Sequence, residues 1–302
     1  MKSIESYHNC IDRPLEDPIY NDKSWPVHLA TFFVGRVPSK LTGLPLDWRL
    51  KSGDKVITEY YELVRQIVGE STNASLHTSN FPVYRITPTP RGTRIRTVVD
   101  TSPWSESSNF NSDGIHTTRL RNKILATQMA DCVGLVIYNT KTEECWNLHL
   151  GVLNTEASSL DKLLYEISSS TNCNVKDLVI YISPSAGKLS YDLTKTFGHD
   201  LLEKFNIDAA SSDPLWKGVL DNRPGQRAEQ IKVLHHHDAL IAIMARAGIE
   251  RYQIYLSKVD TIKDSLFHSY RCSILTEAHA QVISGQFRPC YNYGNNALIV
   301  SQ

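Results

Sequence analysis

The cysteines of this chain, at positions 10, 132, 145, 173, 272 and 290, include no CxxC pair, and six in 302 residues are too sparse for a disulfide framework. Reduced thiols are therefore expected. No apolar run approaches the roughly 18 to 20 residues that span a bilayer. The opening "MKSIESYHNCIDRPLEDP" lacks the apolar middle of a secretory signal. These two absences lead us to expect a cytoplasmic protein with no membrane partner. An excess of charge is missing too, since Lys plus Arg and Asp plus Glu are both 32. A net charge of zero argues against broad attraction to nucleic acid. There is no GxGxxG, and no GxxxxGK followed by Ser or Thr, which counts against a dinucleotide or P-loop site. Internal repeats are absent as well.

What is present is the material of a large core, 41% hydrophobic against 21% charged. The first 50 residues are rich in Pro and aromatics and carry weak periodicity. Over 54–68, "DKVITEYYELVRQIV" spaces its apolar residues as a helix does, with Gly69 placed to cap it. "PVYRITPTPRGTRIRTVVD" (82–100) alternates around Pro and Gly and reads as two strands with a bend between them. The polar run that follows, 101–114, reads as a loop. "CVGLVIY" (132–138) and "CWNLHL" (145–150) read as a hairpin closed by "NTKTEE". A helix is expected over 158–167, a buried strand over 178–184, and a helix over 238–248 with Asp238 as its cap and Gly248 at its end. "YQIYL" and "ALIV" supply later strands. Hairpins mixed among helices predict an α/β (α+β) fold of mixed β-sheets packed against helices, not an all-parallel sheet.

Cys132 and His149 stand inside apolar strands, where a thiol is most often a small hydrophobe and an imidazole a satisfied core group. Alternation puts Cys145, Asn147 and His149 on one face of their strand and Trp146, Leu148 and Leu150 on the other. His149 thus belongs to a polar face. The triple histidine of "LHHHDAL" offers a less useful clue. Consecutive side chains at a helix entrance diverge and cannot meet one ion, so His235 to His237 are expected at the cap and the surface.

The words "TQMADC", "LHLG", "VIYISPSAGKLSYDL" and "FHSYR" recur in the order seen in the laccase-domain family long labelled polyphenol oxidase, which the chain resembles. The resemblance covers about residues 80–302 and is strongest over 127–151. It implies one laccase-domain-like α/β domain across 1–302, divergent in 1–80. It also implies a fold similar to the catalytic domain of cytotoxic necrotizing factor deamidases. The implied activity is that of a purine nucleoside phosphorylase or deaminase, with a small-molecule substrate and, for phosphorolysis, phosphate. In the family a His, the Cys of the Asp-Cys word and the His after the hairpin bind one zinc. By position the last two are Cys132 and His149.

The first ligand falls on Arg91, which offers no lone pair to a metal. His116 or His77 would then have to supply it, or the metal is lost. Val152 and Leu153 replace the family's Trp-Arg, and Cys272 replaces the second Arg after "SYR". These departures mark a divergent member. Arg91 and Arg271 are expected to hold an anionic group, with Ser183, Ser185 and Tyr191 lining the pocket and Asp131 orienting His149 or Arg91 or capping the strand turn.

Overall fold

The computed structural model describes residues 11–14, 25–26, 28–38, 40–41, 48, 57–72, 81–88, 95–98, 109–151, 159–169, 173–187, 220–222, 232–269 and 296–302. Along the chain the elements are β1 (Ile11–Asp12), β2 (Ala30–Val34), α1 (Ile57–Thr72), β3 (Val83–Thr87), β4 (Ile95–Val98), β5 (Asn109–Asn111), β6 (Gly114–Thr117) and β7 (Ile124–Met129). They continue with β8 (Val133–Asn139), β9 (Cys145–Leu150), α2 (Ser159–Ser169), β10 (Leu178–Ile182), β11 (Leu220–Asn222), β12 (Lys232–Leu234), α3 (His236–Arg246), β13 (Ile254–Leu256) and β14 (Asn296–Ser301). Among the described residues they form two six-stranded sheets, in the orders β1-β2-β14-β7-β3-β5 and β13-β10-β8-β9-β6-β4, and the pair β11-β12.

Both large sheets are mixed. In the first, β3 runs parallel to β5 and β7 while β14 runs antiparallel to β2 and β7. In the second, β8 and β9 form the antiparallel hairpin, and β4 and β13 add parallel strands at the edges. The hairpin closes where the Asn139 side-chain oxygen accepts from the Lys141 and Thr142 amides, at 2.9 and 3.1 Å. Glu143 supplies the left-handed residue there, at φ 62°.

Three apolar clusters explain the layering. Phe33, Tyr84, Leu125, Met129 and Leu298 of the first sheet meet Ile115, Val136, Cys145 and Tyr181 of the second in a shared core. Tyr60, Tyr61, Val64 and Ile67 of α1 cover the outer face of the first sheet. Leu160 and Leu164 of α2, with Leu240 and Ile243 of α3, cover the outer face of the second. The order is helix, sheet, sheet, helices. Each sheet is buried on both faces, so strands such as "VGLVIYN" are apolar nearly throughout and not alternating. Each large side chain removed from water here contributes about 1.5 to 3 kcal/mol.

Several sequence expectations need correction. The first helix runs through Gly69 to Thr72, and Gly69 is buried inside it, because packing on the sheet outweighs the glycine penalty. The run 101–114, expected as a loop, contains β5 and the start of β6. Asp238 sits in the first turn of α3 while His235 holds the N-cap, without a side-chain hydrogen bond. His235 and His236 are buried, not on the surface, because the helix start packs into the molecule. Gly248 does end that helix, at φ +83°.

Candidate functional site

The chain crosses between the sheets at one end of the sandwich. Ala130–Cys132 joins β7 of the first sheet to β8 of the second, and Ser112–Asp113 joins β5 to β6. Parallel pairing of β3 with β5 and β7 brings these connections to the same end. Cys132 and Asp113 therefore come to the same end of the sandwich although 19 residues separate them in sequence. His149 arrives from β9, opposite Gly134 of β8, and its amide donates to the Asp113 carbonyl at 2.7 Å.

Continuing the β8–β9 register by one step sets Cys132 against Gly151. A β-carbon at Gly151 would lie 3.7 Å from His149 Cε1 and 3.9 Å from Cys132 Sγ. The thiol and the imidazole thus converge on the bare side of one glycine. His149 Nδ1 faces Asp113 Oδ1 at 3.8 Å, a charge contact longer than a hydrogen bond, which leaves Nε2 for the sulfur. The His149 side chain is 14% exposed, and Cys132 is partly exposed. Burial alone would lower the pKa of His149. Cys132 and the Asp113 carboxylate overcome it and push His149 up to about 9. A thiol, an imidazole and a carboxylate placed together in this way can serve as nucleophile, proton carrier and orienting group.

The other cysteines differ. Cys145 is fully buried, and burial pushes its thiol well up, with Glu144 adding to the effect. Burial also raises Cys173.

Asp113 was missed by sequence reasoning, and only the polar turn "NSDG" marks it. Asp131, the carboxylate expected from the sequence, accepts from Thr261 Oγ1 at 2.9 Å, and its carbonyl accepts from the Ala186 amide. The Ser183 hydroxyl accepts from the Gly134 amide at 2.8 Å and donates to the Pro184 carbonyl, so it fastens β10 to β8 beside the strand that pairs with His149. Ser185 is buried beside His237 Nε2 at 2.8 Å, and burial lowers His237 to about 4.

His116 does not join the pair. It lies opposite Trp146 in the β6–β9 register, on the helix-covered face of the second sheet, whereas His149 faces the first. Its ring stacks on Trp146 at 4.7 Å, with Nε2 2.7 Å from Glu144 Oε1. A register step of one residue reverses the face, and that decides the matter.

Arg91, Tyr191, Arg271 and His77 lie outside the described residues. Their described neighbours are informative. Thr87, which ends β3, pairs with Asn111, and Ile95, which opens β4, pairs with Gly114, so the flanks of the Arg91 segment border Ser112 and Asp113. The described part of "FHSYR" is clamped to the Cys132 connection by Asn296. Its amide nitrogen donates to the carbonyls of His268 at 2.9 Å and Ala130 at 3.3 Å, while its oxygen accepts from the His268 amide.

Zinc asks for three or four protein ligands. Among the described residues no group of three His, Cys, Asp or Glu side chains could hold an ion, and Cys132 with His149 makes two. The described donors therefore do not complete a zinc or copper centre.

The architecture is shared with known structures. The chain is similar to the hypothetical protein YfiH of Bacillus licheniformis, with a TM-score of 0.66 at 17% identity, over 90% of this chain and 92% of that one. YlmD of Geobacillus stearothermophilus superimposes with a TM-score of 0.59 at 15% identity, over 95% and 94% of the two chains. The Neisseria meningitidis protein NMB0706 gives 0.59 at 13% identity, over 92% and 96%. At such identities the likeness is one of fold. Comparison with curated protein sequences finds no match. Residues 73–284 match the family described as multi-copper polyphenol oxidoreductase laccase, and the chain belongs to that family. No described helix is long and apolar enough to cross a membrane.

Proposed function

We propose that this protein is an enzyme acting on a purine nucleoside or a related small molecule at the Cys132–His149 centre, by phosphorolysis or hydrolytic deamination. The observation that carries the reading is the convergence of Cys132, His149 and Asp113 where the chain passes between the sheets. A group positioned there can take or give a proton, and the imidazolium can stabilise developing negative charge. Arg91 and Arg271 would hold the anionic part of the substrate, phosphate included, and Tyr191 would line the base. Support comes from the described flanks of both arginine segments, which border the site. The test is turnover of inosine, guanosine, adenosine and methylthioadenosine, with and without phosphate, followed by chromatography of base and sugar products. Release of base only with phosphate in the wild type, lost in Cys132→Ala and His149→Ala, is the expected result. Activity that survives both substitutions would remove the centre from the reaction.

A second reading is favoured by the convergence of thiol and imidazole on Gly151: Cys132 acts as a metal-free nucleophile, with His149 as acid and base and Asp113 behind it. Alkylation separates the two. A free thiolate reacts faster at Cys132 than at Cys145 or Cys173, whereas a bound zinc shields it. Arg91→His restores the family's third ligand and should raise zinc affinity strongly if Arg91 occupies that place. No gain in zinc would mean the correspondence ahead of residue 113 has to be redrawn.

A further inference from the structure

Between α1 and the first sheet lies a polar group that the Cys132 site does not use. Arg85 of β3 is wholly buried, and its Nε, Nη1 and Nη2 have no hydrogen-bond partner among the described residues. Its guanidinium carbon sits 5.5 Å from the centre of the Tyr60 ring. The Tyr60 hydroxyl is equally buried and equally without a partner there. Burial raises its pKa, with Arg85 acting the other way, so the phenol keeps its proton and remains a donor. Gln128 completes the group, wholly buried, with both amide atoms lacking a partner among the described residues.

Strand register puts these side chains in one layer. Arg85 pairs with Ala126, so Gln128, two residues on, is its diagonal neighbour on the same face. On the far side Gln128 pairs with Ala297, and the small side chains of Ala126 and Ala297 share its face beneath the helix. Native proteins rarely leave buried polar atoms unmatched, and an isolated buried charge is among the costliest exceptions. The unmet atoms are mostly donors: a planar guanidinium fork, a phenol and an amide NH2. Such a set fits a small anion with several acceptor oxygens.

We propose that this layer binds a small oxyanion, inorganic phosphate or a short carboxylate, between Arg85, Gln128 and Tyr60. The site is separate from the Cys132 pocket, because it lies on the face of the first sheet turned away from the second, and it stands whether or not the catalytic reading holds.

The full chain is exchanged into oxyanion-free buffer, and thermal unfolding is followed against inorganic phosphate, against formate and against chloride at matched ionic strength. A saturable rise with phosphate or formate, absent with chloride, is expected, and whichever oxyanion acts identifies the source. In Arg85→Met the half-saturating concentration should rise at least about tenfold, the loss of about one charge-assisted contact. Met fills similar space without charge, and replacing a buried ion by an apolar side chain is often tolerated. Gln128→Leu provides the same comparison should Arg85→Met not fold. Ions excluded from the surface stabilise without saturation and regardless of either residue. A response of that kind, or none, overturns the proposal. So does native mass spectrometry that shows no oxyanion adduct on the wild-type chain under saturating conditions.

Discussion

Removing the Cys132 sulfur should change how His149 titrates, and the size of the change follows from the geometry. Burial drives the imidazole towards its neutral form, but the Cys132 thiolate and the Asp113 carboxylate outweigh it and lift His149 from 6.5 to about 9. At about 1.36 kcal/mol for each tenfold change in proton affinity, the difference amounts to about 3 kcal/mol. The folded-state value lies above the unfolded one. This contribution is therefore fully present below about pH 6.5 and disappears as pH rises through about 9. Thiol and imidazole titrate as a pair, so the observable is the apparent transition of the pair. The assay is an NMR titration of the His149 imidazole protons, assigned against His149→Gln, beside urea unfolding across the same pH window. In Cys132→Ala, with its strongest opposing influence gone, burial should pull the His149 transition down by at least about one pH unit. Wild-type stability should fall through the alkaline window while that of the variant stays nearly flat. A wild-type His149 that titrates at or below 6.5, or a transition that Cys132→Ala leaves in place, would refute the thiolate–imidazolium pair.

Four further outcomes are expected. Asn147 ties the sheets together by donating to the carbonyls of Leu125 and Leu298 at 3.1 and 3.0 Å, so Asn147→Leu should lower the free energy of urea unfolding by about 1 to 3 kcal/mol. His237, lowered to about 4 by burial, favours the unfolded state as pH falls from 6.5 towards 4, because the unfolded chain binds the proton first. His237→Gln should flatten that acid limb in a stability–pH profile, and a limb of unchanged slope would exclude His237 as its source. Gly151→Ala meets only ordinary contacts at 3.7 and 3.9 Å, so it should keep its melting temperature while slowing alkylation of Cys132 measured by mass spectrometry. Gly187→Ala should instead melt earlier, since its β-carbon would fall 2.2 Å from Asp260 Oδ2.

Local pattern was enough for the hairpin, α2, α3 and the separation of His149 from Trp146 across β9, because these depend on side-chain periodicity over a few residues. The family words in 127–151 were enough to single out Cys132 and His149. Other features depended on which strands become neighbours, and no short window of sequence holds that information. Asp113 lies behind His149 because β5 and β7 hand the chain to the second sheet at the same end. His116 is turned away by its pairing with Trp146, a matter of register that its own surroundings, "DGIHTT", do not encode. The antiparallel pairing of β10 with β8 gives the Ser183 hydroxyl the Gly134 amide as its partner, which its own surroundings do not encode. Arg85 reads as a polar residue in an alternating strand, and only the packing of α1 over its face makes it a buried charge. The sequence by itself determined which residues could do chemistry. Non-local strand order and register decided which of them meet, since those contacts are set by burying both faces of two sheets at once.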